Sequence, residues 1–152
     1  TFSINIFAVE KGIKIDVSLT TAGSFQITSP KVKGKIKNNK GVYTSDRIYV
    51  KVSDMKTGIE LRDDHMQKRL ITKDKASKKI TVSKVKAKDG KGSAVIEIKG
   101  IKNPIRFKYT TSGKVFTAKF IINLKKFKIK DLKYLDVGAK EMVKVIANIP
   151  IN

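Results

Sequence analysis

Apolar and polar residues alternate along most of this chain, and that period of two limits what it can fold into. In IKIDVSL, Ile13, Ile15, Val17 and Leu19 fall on one face and Lys14, Asp16 and Ser18 on the other. RIYVKV sets Ile48, Val50 and Val52 against Arg47, Tyr49 and Lys51, and PIRFKYT sets Ile105, Phe107 and Tyr109 against Arg106 and Lys108. VFTAKFIINL aligns Phe116, Ala118, Phe120, Ile122 and Leu124, and EMVKVIANI aligns Val143, Val145, Ala147 and Ile149. Successive side chains of a strand point to opposite faces, so such runs describe antiparallel sheet with one buried and one wet face.

Turn residues punctuate these runs at TTAG (20–23), NNKG (38–41), KDGKG (88–92), KNP (102–104) and TSGK (111–114). Strands are predicted near 2–9, 12–20, 23–29, 31–38, 41–54, 78–88, 93–101, 104–111, 114–125 and 140–150. Many strands with so little helix read as an all-β barrel or sandwich of about eight strands, and residues 1–152 as one domain without repeat or linker.

Two stretches break the alternation. TGIELRDDHMQKRL (57–70) predicts a short helix near 63–70, with Asp63 as its N-cap and Met66 and Leu70 one turn apart. KKFKIKDLKYLDVG (125–138) scatters Phe127, Ile129, Leu132, Tyr134 and Leu135 among lysines and reads as a long packed loop.

The net charge is +21, and all but four of the basic residues (Arg47, Arg62, Arg69, Arg106) are lysine. Lysine is a solvated point charge that blunts sheet edges, whereas readers of nucleic acid favour the arginine fork. The charge predicts salt-sensitive attraction to polyanions. Outward aromatics are sparse, with Tyr49 the clearest, so the stacking platform of a single-strand binder is missing and nucleic acid ranks below an anionic membrane surface. The densest basic runs, KVKGKIKNNK (31–40) and KKFKIKDLK (125–133), read as solvated edges or as a rim steering toward anionic headgroups.

The residues argue against catalysis. There is no cysteine, and His65 is the only histidine, so the usual zinc sets cannot form. Asp63 and Asp64 are neighbours that a helix points about 100° apart, and no serine sits in a nucleophile elbow. No cofactor and no metal are expected. His65 reads as a structural helix residue, and Arg62 with Asp63 as a cap and ion pair. No run approaches the ~18 to 20 apolar residues of a spanning helix. Thr1 is not an initiator methionine, so the chain is either processed or trimmed for expression, and a removed signal peptide fits.

Several segments, taken in order and spacing, resemble the YceI-like family. TGIELRDDHM is similar to that family's "T-G-x-x-x-R-D-x-H" helix start, and IEIKGIKNPIRF (96–107) to its "I-x-G-x-x-x-P" hairpin. AGSFQITSPKVKGK (22–35) and the closing region from Phe120 to Ile151 look like its remaining landmarks. The resemblance implies a lipocalin-like antiparallel barrel whose lumen holds a long amphiphile, usually a polyisoprenoid, in a periplasmic or secreted protein. The family commonly opens with a His-Ser element and a further histidine. TFSINIFAVEKG has neither, so no headgroup contact is carried over to that segment.

Residues alone leave the interior open between a core filled by side chains and a void. The resemblance favours the void. It implies a polyisoprenoid, isoprenoid quinone or fatty-acid derivative held for storage, transport or sequestration. On the first half of the chain its contacts would be Val17, Leu19, Phe25, Ile27, Val50 and Val52, with Met66 and Leu70 from the helix. On the second half they would be Phe107, Tyr109, Phe116, Phe120, Ile122, Phe127 and Leu135. The competing reading is a basic surface-binding protein with a filled core and no ligand.

Overall fold

The alternating runs become one antiparallel sheet in the computed structural model, which describes residues 11–18, 24–129, 133–134, 137–138 and 140–152. In chain order the strands are β1 (Gly12–Ser18), β2 (Ser24–Ser29), β3 (Lys37–Asn39), β4 (Val42–Lys51), β5 (Lys79–Lys88) and β6 (Lys91–Ile98). They continue as β7 (Ile101–Ser112), β8 (Val115–Asn123), β9 (Lys133–Tyr134), β10 (Val137–Gly138) and β11 (Met142–Pro150). Nine of them form a sheet ordered β2-β1-β11-β8-β7-β6-β5-β4-β3, one more strand than the eight expected, and β9 pairs with β10. The predicted strand over 2–9 lies outside the described residues.

The inward faces are those that the alternation named. Ile15 and Val17, Ile48 and Val50, Phe116, Ala118 and Ile122, and Val143, Val145, Ala147 and Ile149 are all buried, while Lys14, Lys51, Lys119 and Lys144 are exposed. β5 departs from strict alternation because a bulge between Ser83 and Lys86 shifts its register against β6. An extra residue turns every later side chain to the other face.

The sheet curls so that its two ends approach, and single bridges span the gap. Thr28 of β2 exchanges two N–H···O bonds of 2.8 Å with Lys56, and Lys33 exchanges two of 2.9 Å with Tyr49 on β4. Among the described residues no continuous ladder joins β2 to β3 or β4. The 31–38 region, expected as a strand, is instead mostly this irregular crossing, and only Lys37–Asn39 forms a strand. Gly34 lets it lie on β4: at φ +113°, a Cβ there would come within 2.6 Å of the Arg47 carbonyl oxygen.

The expected turn at KNP is displaced. The reversal falls at Lys99 and Gly100, both at positive φ, the type I′ geometry of a two-residue hairpin, and Pro104 lies inside β7. Proline is tolerated there because β7 meets β8 only from Lys108 onward, so its first half is paired on one side alone.

Helix α1 (Glu60–Leu70) follows β4 and starts earlier than the predicted 63–70. Glu60 and Asp63 in its first turn and Lys68 and Arg69 in its last complement the helix dipole. Met66 and Leu70, four apart, are buried against the sheet. Among the described residues no helix is long and apolar enough to cross a membrane.

Candidate functional site

The curled sheet encloses an apolar cavity. Every long strand contributes: Ile13, Ile15 and Val17 from β1, Val50 from β4, Val82 from β5, Ile96 and Ile98 from β6, Phe107 from β7, Phe116, Phe120 and Ile122 from β8, and Val143, Val145, Ala147 and Ile149 from β11. Met66 and Leu70 bring α1 to the same wall. The cavity has a volume of about 120 Å3. Among the described lining residues only Tyr49 carries a side-chain oxygen or nitrogen. Taking an ionised group into such surroundings without a partner is strongly unfavourable. The interior therefore accepts hydrocarbon and leaves any charged end outside.

Nine of the residues named from the sequence meet on this wall: Val17, Ile27, Val50, Met66, Leu70, Phe107, Phe116, Phe120 and Ile122. Four others lie off it. Val52 is fully buried in a 3-10 turn after β4, and Phe127 is buried in another after β8. Tyr109 is half-buried and stacks on Phe116 with ring centroids 4.7 Å apart. Phe25 is half-buried beneath Arg62, whose guanidinium carbon sits 4.3 Å from the ring centroid. Leu19 and Leu135 lie outside the described residues.

The cavity also has walls that the alternation did not name. Val32, Ile36, Met55 and Ile129 come from irregular segments, where no period marks them. Ile96 and Ile98 alternate plainly in SAVIEIKG and could have been found. Ile80 and Val82 share the wall with Val85 only because the bulge in β5 changes parity between them.

Asp63 is not the N-cap of α1. Ile59 occupies that position without a side-chain bond, and Asp63 is buried one turn in. Its Oδ1 accepts from the Thr57 N–H and the Thr57 hydroxyl, both at 2.6 Å. The carboxylate thus ties the helix start to the incoming chain, which fixes where Met66 and Leu70 meet the cavity. Asp63→Ala should strand the Thr57 N–H and cost about 2 to 3 kcal/mol, as loss of bonds to a charged acceptor does. Urea unfolding checks this, with a smaller loss expected for Asp63→Asn. His65 is exposed on the same helix.

Solved structures that share this fold include the following three. BcnA of Burkholderia cenocepacia superposes with a TM-score of 0.64 at 13% identity, over 90% of this chain and 94% of its own. A polyisoprenoid binding domain from Saccharophagus degradans, implicated in plant cell wall breakdown, gives 0.64 at 15% identity over 93% of each chain. The Campylobacter jejuni YCEI protein gives 0.60 at 17% identity, over 84% of this chain and 86% of its own. No curated protein matches the sequence. The model of the YceI-like domain matches residues 6–151. With nearly the whole chain matched, this protein belongs to the YceI-like family.

Proposed function

We propose that the protein binds one long-chain amphiphile, a polyisoprenoid, isoprenoid quinone or fatty-acid derivative, with its tail in the cavity, and stores, transports or sequesters it. One observation carries this reading: an enclosed apolar cavity whose lining, among the described residues, has a single polar side chain. An unfilled void forfeits dispersion contacts, and an apolar one holds no ordered water, so a hydrocarbon guest is what would restore contact. Burial contributes about 0.8 kcal/mol per methylene, enough for tight binding without a specific polar contact. Family membership and the Saccharophagus degradans neighbour support a lipid of this class. On this reading the protein is a carrier rather than an enzyme, and it acts in the periplasm or after secretion, which cell fractionation tests.

Organic extraction of the purified protein followed by mass spectrometry is expected to release a long-chain amphiphile in stoichiometric amount. Absence of a bound lipid, with no uptake of added polyprenol, would leave the interior as an ordinary core.

A further inference from the structure

The outer side of the wall carries a second feature, independent of what the cavity holds. A broad concave face runs across β5, β6, β7, β8 and β11 to β1, and it is bordered by Lys86, Lys88, Lys91, Arg106, Lys108, Lys119 and Lys144, with Asp16 the single acid. Strand register explains how these cations meet. Lys88 lies opposite Lys91, Lys91 opposite Lys108, and Lys108 opposite Lys119. Four lysines therefore form one rung across four strands, roughly 14 Å long at the usual strand spacing. Like charges set directly opposite destabilise a sheet. The ion pairs Lys31–Asp54 and Lys125–Glu141 both lie away from this face. The fold gains nothing from such a rung.

Apolar side chains stand beside it. The rung continues from Lys119 to Ile146 on β11, and on the adjacent rung Ile121 lies opposite Lys144. Ile121 is 55% exposed and Met142 is 54% exposed. They sit on neighbouring strands of this outer face in a diagonal pair, about 7 to 8 Å apart by sheet geometry. Two of the four large apolar residues exposed among the described ones are thus placed next to an array of cations.

We propose that this face docks the protein on an anionic lipid bilayer, the cations engaging headgroups while Ile121 and Met142 enter the interfacial layer. Charge complementarity selects a polyanion, and the aliphatic pair selects a membrane among polyanions. A nucleic acid would use aromatic platforms, and the phenylalanines at this face, Phe107 and Phe120, belong to the cavity wall.

The experiment is vesicle co-sedimentation of the full chain with phosphatidylcholine alone and with phosphatidylcholine mixed with phosphatidylglycerol, at low and high salt. Binding is expected only to the mixed vesicles and should fall as salt rises. Lys108→Glu with Lys119→Glu should weaken it roughly ten- to thirtyfold, and Ile121→Ser with Met142→Ser should weaken it at unchanged net charge. The control pair Lys73→Glu with Lys75→Glu, exposed residues away from this face, should bind nearly as the parent does. The single change Lys108→Glu has a second signature. An acid between two facing lysines should raise Tm by about 1 to 4 °C while binding falls. Equal weakening by the control pair, equal binding to neutral vesicles, or undiminished binding by the face variants would overturn the proposal. So would a wild type that ignores vesicles but holds single-stranded nucleic acid at physiological salt.

Discussion

Ala147→Phe is expected to give a folded protein whose uptake of a long-chain polyprenol falls about a hundredfold. Ala147 on β11 and Ala118 on β8 lie directly opposite one another, and both are buried on the cavity wall. They are the smallest side chains among the described lining residues and stand side by side on adjacent strands, so the wall is lowest in front of them. A phenyl ring at either position occupies space a chain would need. Displacing about four methylenes at ~0.8 kcal/mol each removes about 3 kcal/mol, the hundredfold stated. Ala118→Phe serves as a second blocker should the first overpack, which typically costs 1 to 3 kcal/mol. Fluorescent polyprenol titration provides the readout, and a thermal melt establishes that each variant folds. Unchanged uptake by two folded blockers would remove the cavity from consideration as the binding site.

Phe116→Ala should be among the most damaging single changes to stability, costing about 3 to 5 kcal/mol and lowering Tm by about 10 °C. Phe116 is 1% exposed and packs within an aromatic group. Tyr43 lies 5.4 Å away and Phe107 6.1 Å away between centroids, with Tyr109 stacked at 4.7 Å. Truncation removes the ring that all three touch, so transfer, cavity and aromatic contributions are lost together. Urea unfolding of ligand-stripped protein isolates this from any loss of bound lipid. A change below about 1 kcal/mol would mean that the cluster reorganises around the gap.

The parts of the fold that follow from local periodicity could be read from the sequence. Alternation around Val50, Phe116 and Val145 named the buried faces because one face of each strand meets apolar surroundings and the other meets water. Parity fails at a bulge, which is why the wall formed by Ile80, Val82 and Val85 stayed hidden. Asp63 was expected as a cap from its place before an apolar pair, yet its partner is Thr57, six residues upstream, in a contact that no helical spacing implies. The lysine rung shows the widest gap. KVKGKIKNNK and KKFKIKDLK were the conspicuous basic runs, whereas the outer face draws one or two cations from each of five strands. Only the register, set by turns and by the pairing of β8 with β11, brings those cations together.

A lining that has, among the described residues, one polar side chain has a consequence for selectivity. Among the described lining residues only Tyr49 offers a polar contact, so hydrocarbon packing gives a guest chain little to fix its register. Discrimination then rests on girth and length. Affinity across a homologous series should climb by a constant increment per methylene until the chain outgrows the bore, and then level off, whatever group terminates it.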